Sequence, residues 1–136
     1  MGLFSKLLNR TPETKQTLSD YPTENKAIEQ INGFELAYHY ENVNICLWNG
    51  IVPDETKADN KIVLIQEKKN KADPRAILLL LVPQKKKIGY IYRGKLQDMV
   101  NDYLEKGDKV TARISDIQFS PYASVKIDIA FFKKSL

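Results

Sequence analysis

The sequence predicts a mainly β domain (β-rich α+β): a small, closed or partly open barrel of about six strands with one inserted α-helix. Short segments rich in β-branched and aromatic residues recur from position 34 onward. One long segment has helical periodicity, and no βαβ repeat occurs, which disfavours a parallel doubly wound sheet. The length of 136 residues fits a single domain.

Residues 1–33 are expected to form an extension, and residues 34–136 the folded domain. Residues 3–8 have the pattern of a short amphipathic helix, and a polar linker follows. A second short helix is predicted over 24–31, before an Asn-Gly turn. No apolar run reaches the length of a transmembrane helix or a signal peptide, so we expect a cytoplasmic protein.

Turn signals divide the rest of the chain into strand segments and one helix. The run 77–82 is apolar on both faces, which is typical of a central, covered strand. The apolar alternation slips near Ser115-Asp116, which predicts a β-bulge. A helix is predicted over about 95–106, because its apolar residues recur at helical spacing before Gly107. The predicted strands are 34–38, 44–48, 61–66, 76–82, 88–92, 110–119 and 125–131.

The residue sets of common enzyme classes are missing from the sequence. It has no phosphate-binding loop, no His-Glu-x-x-His and no Gly-x-Ser-x-Gly motif. The one cysteine, Cys46, and the one histidine, His39, do not supply the ligands of a zinc site. We therefore expect a non-enzymatic protein without a metal or other cofactor. His39 is expected on the barrel surface, and Trp48 in the core or covering a hairpin.

Positive charge is concentrated in the middle of the chain. Ten of the 21 basic residues lie within 61–95, where only Glu67 and Asp73 are acidic. Around Asp73, four basic residues form a cationic rim that suits a phosphate chain. The alternative is an Asx-rich turn in which Asn70 and Asp73 accept backbone hydrogen bonds. Lys85–Lys87 is expected to be a solvated hairpin turn.

Four features follow one another in the middle of the chain. They are the pattern Asn70-x-x-Asp73-x-x-Ala76-Ile77, a leucine-rich strand, the pattern Ile88-Gly89-Tyr90-Ile91-x-Arg93 and a helix. Together they resemble the HIRAN domain, found attached to helicase-like transcription factors and as small stand-alone bacterial proteins. The resemblance spans about residues 34–132. It implies an OB-like barrel that binds single-stranded DNA and, in some members, a free 3′ end.

The resemblance also implies roles for individual residues. Asp73 matches an aspartate that accepts a hydrogen bond from the terminal sugar hydroxyl, and Tyr90 matches a residue of the same pocket. Ala72 stands where the family often has an aromatic residue. Tyr90 and Tyr92 are predicted to share a strand face, either as packing residues or as stacking platforms. The expected nucleic-acid-binding residues are Lys68, Lys69, Asn70, Lys71, Asp73, Arg75, Tyr90, Tyr92, Arg93, Tyr38 and Tyr122.

Three functions fit these features. The leading one is a binding module for single-stranded DNA or its 3′ end, accessory to DNA repair or mobile-element functions, with the choice between DNA and RNA open. The alternative is a protein-interaction adaptor on the same barrel without DNA binding, which Ala72 and the acidic segment 33–60 favour. The third is a membrane-surface protein tethered by residues 3–8.

Overall fold

The computed structural model describes residues 30–135, which form one antiparallel sheet of seven strands and one α-helix. The sheet curls into a half-barrel with the strand order β1-β7-β6-β3-β4-β5-β2. The mainly β fold with one inserted helix is thereby confirmed. The elements are β1 (Phe34–Asn44), β2 (Cys46–Leu47), a 3₁₀ turn (Trp48–Gly50), β3 (Lys61–Gln66), β4 (Ile77–Leu81), β5 (Lys86–Tyr90), α1 (Lys95–Glu105), β6 (Lys109–Gln118) and β7 (Ser124–Lys134).

The predicted helical segments near the N-terminus lie outside the described residues, except that residues 30 and 31 are described and are not helical. No helix within residues 30–135 is long and apolar enough to cross a membrane.

The two outermost strands of the sheet, β1 and β2, are consecutive segments of the chain. Only Ile45 separates them, and its amide donates a hydrogen bond to the Val125 carbonyl of β7 at 3.3 Å. Directly after it, Cys46 pairs with Tyr90 of β5. One continuous stretch of chain therefore pairs with β7 along its first part and with β5 at its end, which draws the two sides of the sheet together.

The predicted break between strands 34–38 and 44–48 is wrong. β1 continues to Asn44, and the extra residues are absorbed by register shifts after Leu36 and after Tyr40. Asn42 in the second shift has a φ of 56°, a conformation that asparagine tolerates better than most residues. The polar residues that suggest a loop therefore form a bulge within the strand.

His39 is buried, with 7% of its surface exposed, so its predicted surface position is also wrong. His39 stands opposite Ala130 of β7, which is also buried, and so lies on the sheet face opposite to that of the core residues Ile129 and Phe131. Burial disfavours the charged imidazolium and lowers the pKa of His39 to about 4. The buried imidazole of His39 is therefore neutral at physiological pH.

Three other predictions are confirmed. β4 lies between β3 and β5, and four of its five residues are buried. The register of β6 with β7 shifts between Ile114 and Asp116, where the bulge was expected. Helix α1 packs its Tyr103 ring on Phe131 of β7, with ring centroids 5.0 Å apart. The core therefore lies inside the curled sheet, with α1 packed against it.

Gly89 allows β2 to approach β5 closely. It pairs with Leu47, and a Cβ atom on Gly89 would collide with the carbonyl oxygen of Cys46. A side chain at this position therefore requires β2 to move away from β5.

We expect Gly89→Ala to destabilise the fold by about 1–3 kcal/mol, because the new methyl group overpacks the β2–β5 contact. Trp48 is the only tryptophan and directly follows β2, so its fluorescence reports on the position of that strand. Thermal unfolding and tryptophan emission measure the two effects. A variant with wild-type melting temperature and emission would contradict the close approach.

Candidate nucleic-acid interface

The β3–β4 loop, residues 67–76, is a compact turn organised by Asn70. The Asn70 Oδ1 atom accepts hydrogen bonds from the amides of Ala72 at 3.0 Å and of Asp73 at 3.1 Å. At the base of the loop, the Glu67 amide donates to the Ala76 carbonyl at 2.9 Å. The Asx-rich turn predicted as the alternative to a cationic rim is thus present.

Among residues 30–135, the Asp73 carboxylate has three hydrogen-bond donors. Its Oδ1 accepts the Arg75 amide at 3.0 Å, and its Oδ2 accepts Gln97 Nε2 at 2.8 Å and Arg93 Nε at 3.2 Å. The hydrogen bond from Gln97, helped by the Arg75 amide and the Arg93 charge, holds the pKa of Asp73 below its usual value. Asp73 joins the loop to α1 and is a more heavily used acceptor than the sequence suggests.

Two amide side chains of α1 donate hydrogen bonds to the β3–β4 loop. Gln97 and Asn101 are 5% and 2% exposed. Asn101 Nδ2 donates to the Arg75 carbonyl at 2.8 Å, and Asn101 Oδ1 accepts Gln66 Nε2 at 2.8 Å. Sequence reasoning missed both residues, although their i, i+4 spacing beside the apolar stripe places them on one helix face.

The side chain of Arg75, which was predicted as part of the cationic rim, lies along α1. Its guanidinium contacts carboxylates along α1, namely Asp98 at 3.4 Å, Asp102 at 3.8 Å and Glu105 at 3.9 Å. Its side chain is 44% exposed, and such surface ion pairs contribute little stability. Their effect is to offset the charge that Arg75 would otherwise add to the rim.

A groove of about 620 Å³ lies between the β3–β4 loop and β5. The Tyr90 hydroxyl donates to Glu67 Oε1 at 2.8 Å on its wall. Partial burial, together with Glu67, raises the pKa of Tyr90, so its hydroxyl stays protonated at physiological pH. The groove residues are Gln66, Glu67, Lys68, Lys69, Asn70, Lys87 and Tyr90.

Trp48 lies next to this groove, beside Tyr90 and Lys87 of β5, so of its two expected positions, in the core or covering a hairpin, the core is wrong. Its side chain is 41% exposed, because β2 ends after two residues and the 3₁₀ turn carries the ring to the surface. The ring centroid is 6.2 Å from that of Tyr90, and Lys87 Nζ lies 4.7 Å from the centre of the indole. Sequence reasoning did not select Trp48, Lys87 or the groove residues Gln66 and Glu67.

The structure places the predicted binding residues in several locations. Lys68, Lys69, Asn70 and Tyr90 line the groove. In the adjoining loop Lys71 is exposed, and Arg93 donates to the Ala72 carbonyl at 2.8 Å.

The remaining predicted aromatics lie outside the groove lining. Tyr92 is 56% exposed beyond the end of β5, so the predicted strand face shared with Tyr90 is wrong. Tyr38 is 43% exposed on β1, opposite Phe131, and Tyr122 is 80% exposed in the β6–β7 turn. Within residues 30–135, no group of three or more His, Cys, Asp or Glu is placed to hold a metal ion.

We expect Asn101→Ala to destabilise the fold by about 1–3 kcal/mol, because it leaves the partly buried Arg75 carbonyl without the Asn101 donor and removes the shorter of two hydrogen bonds from Gln66. Asp102→Ala, on the neighbouring position where the side chain is 61% exposed, is the matched control and should cost less than about 0.5 kcal/mol. Urea unfolding of both variants measures the difference. Equal losses would contradict the supporting role of Asn101.

Two solved structures have a similar fold. The HIRAN domain of human HLTF aligns with a TM-score of 0.61 at 12% identity, over 76% of this chain and 82% of that chain. A protein from Lactobacillus plantarum aligns with a TM-score of 0.55 at 14% identity, over 73% and 99%. No family model and no curated protein matches the sequence. At the level of the fold the resemblance is confirmed, and the chain has the fold of a HIRAN domain.

Proposed function

We propose that this protein is a non-enzymatic module that binds single-stranded DNA in the groove between the β3–β4 loop and β5. The observation that carries the proposal is the juxtaposition of two aromatic rings, Trp48 and Tyr90, with the ammonium groups of Lys68, Lys69 and Lys87. A single strand presents both base faces and phosphates. Aromatic rings stack on the former, and lysines neutralise the latter.

The fold supports the same ligand. The HIRAN resemblance implies binding of single-stranded DNA, and this chain keeps an aromatic residue, Tyr90, at the matching pocket position. Ala72 removes one stacking surface, but Trp48 offers another beside the same groove. A stacked base contributes about 1–3 kcal/mol, so two rings and three lysines are sufficient for a modest, salt-dependent affinity.

Binding is measured by quenching of Trp48 fluorescence during titration with oligothymidine at several salt concentrations. We expect Lys68→Ala/Lys69→Ala to weaken binding and to reduce the slope of log K against log salt by about 1.4, since each lost phosphate contact removes about 0.7 on a single strand.

Lys109→Ala/Lys126→Ala, on β6 and β7, is the matched control and should leave the slope at the wild-type value. An unaltered slope in the groove variant would exclude phosphate contacts there. Absence of binding by the wild type would favour the protein-interaction adaptor.

The proposal extends to a 3′ end through Asp73. A terminal hydroxyl has to replace Gln97 or Arg93 as donor to Asp73 Oδ2, which exchanges one hydrogen bond for another. A terminal phosphate meets the repulsion of the carboxylate instead. The preference for a 3′ hydroxyl is therefore expected to be small.

We expect the wild type to bind a 3′-hydroxyl strand about two- to tenfold more tightly than a 3′-phosphate strand, because the Asp73 carboxylate repels the phosphate by about 1 kcal/mol at a solvated site. Asp73→Asn keeps an acceptor for the Arg75 amide but removes the charge, so the ratio should fall to about one. Competition titrations with both strands measure it. If the wild type binds the two strands with equal affinity, Asp73 does not recognise a 3′ end and serves only to hold the loop.

A further inference from the structure

The outer face of β3, β4 and β5 is continuous with the groove through two rows of paired residues. Ile65, Leu78 and Tyr90 stand opposite one another across the three strands, and so form the first row. The second row is formed in the same way by Val63, Leu80 and Lys87. Residues that stand opposite each other in a sheet lie on the same face. The groove residues Tyr90 and Lys87 therefore share a face with the apolar residues of β3 and β4.

Apolar side chains are exposed to solvent on this outer face. Val63 and Ile65 are 43% and 37% exposed, and Leu80 is half-buried. Their neighbours Leu79 and Leu81, on the opposite face, are completely buried in the core. The outer face is thus an apolar floor that adjoins Tyr90 and Lys87.

The charged residues within the three strands have one sign. β3, β4 and β5 contain no acidic residue and carry three lysines. Lys86 is paired with Glu55 at 2.7 Å, which offsets its charge. Lys87 lies at the end of the Val63 row, and Lys61 lies two residues before Val63 on β3. An apolar floor with a cationic border suits an anionic polymer that has apolar faces.

We propose that this outer face is a second subsite for single-stranded DNA, an inference that rests on the function proposed above. Some nucleotides of the strand lie in the groove, and the internal nucleotides next to them lie on this face. The groove has the volume of a small-molecule site, about 300–1,000 Å³, which is room for few nucleotides. Strand β3 adds about 20 Å of surface at 3.3 Å per residue. Bases pack on Val63, Ile65 and Leu80, while phosphates lie towards Lys61 and Lys87.

The test is the dependence of affinity on strand length. Oligothymidines of increasing length, from two nucleotides upward, are titrated against the full chain with Trp48 fluorescence as the signal. Wild-type affinity should rise until the strand covers both subsites. Val63→Thr/Ile65→Thr should bind the shortest strands as the wild type does and lose about fivefold of the gain seen with longer ones, since less apolar surface is buried.

Ile51→Thr is the matched control, because Ile51 is 62% exposed outside the three strands, and it should retain the full gain. Thermal unfolding checks that the double variant is folded, and Val63→Thr alone provides a milder version with a smaller loss.

The other outcomes separate this inference from the proposed function. If the affinity does not depend on strand length, or if the double variant and the wild type bind long strands equally, the second subsite is overturned and binding in the groove is not. Absence of binding at every length overturns both. Sedimentation of the wild type and the double variant adds a third arm. If the wild type is a dimer and the double variant is a monomer, the face is an interface with a second copy of the chain, and the inference is overturned.

Discussion

The short pairing of β2 with β5 links the architecture of this domain to its groove. Cys46 and Leu47 pair with Tyr90 and Gly89, and the missing side chain of Gly89 lets the two backbones meet. Because β2 continues directly from β1, this contact also draws the two ends of the sheet order together. The same contact brings Trp48 to the side of Tyr90, so the aromatic pair beside the groove depends on this pairing.

The charge available to a ligand differs from the charge counted along the sequence. Asp73 is offset by Arg93, and Arg75 by the carboxylates of α1. Glu67 lies within the groove, but its Oε1 accepts hydrogen bonds from Tyr90 and Asn70. The groove is therefore less basic than the segment 61–95 suggests, and its lysines act beside polar groups that are already hydrogen-bonded within the protein.

Local patterns predicted most of the secondary structure. The central strand β4, helix α1 and the bulge at Ser115-Asp116 follow from periodicity within one segment, and each is present. The course of β1, the burial of His39 and the exposure of Trp48 depend on how β1 and β2 pair with distant strands. The middle of β1 is a polar run that lacks the slip in apolar alternation that marks the bulge of β6, so its register shifts are not visible in the sequence. Gln97 and Asn101 were missed for a related reason, since a buried amide is recognisable only when its partner loop is known.

The residues that carry the family resemblance have clear structural tasks in this chain. Asn70 shapes the loop, Asp73 fastens it to α1, and Gly89 admits β2 to the side of β5. A motif composed of such residues predicts the fold, and a similar fold at 12% identity is consistent with that. It is weaker evidence about the ligand. The proposal of a nucleic-acid ligand rests instead on the groove, where Trp48 and Lys87, which lie outside the motif, add an aromatic ring and a cation beside Tyr90.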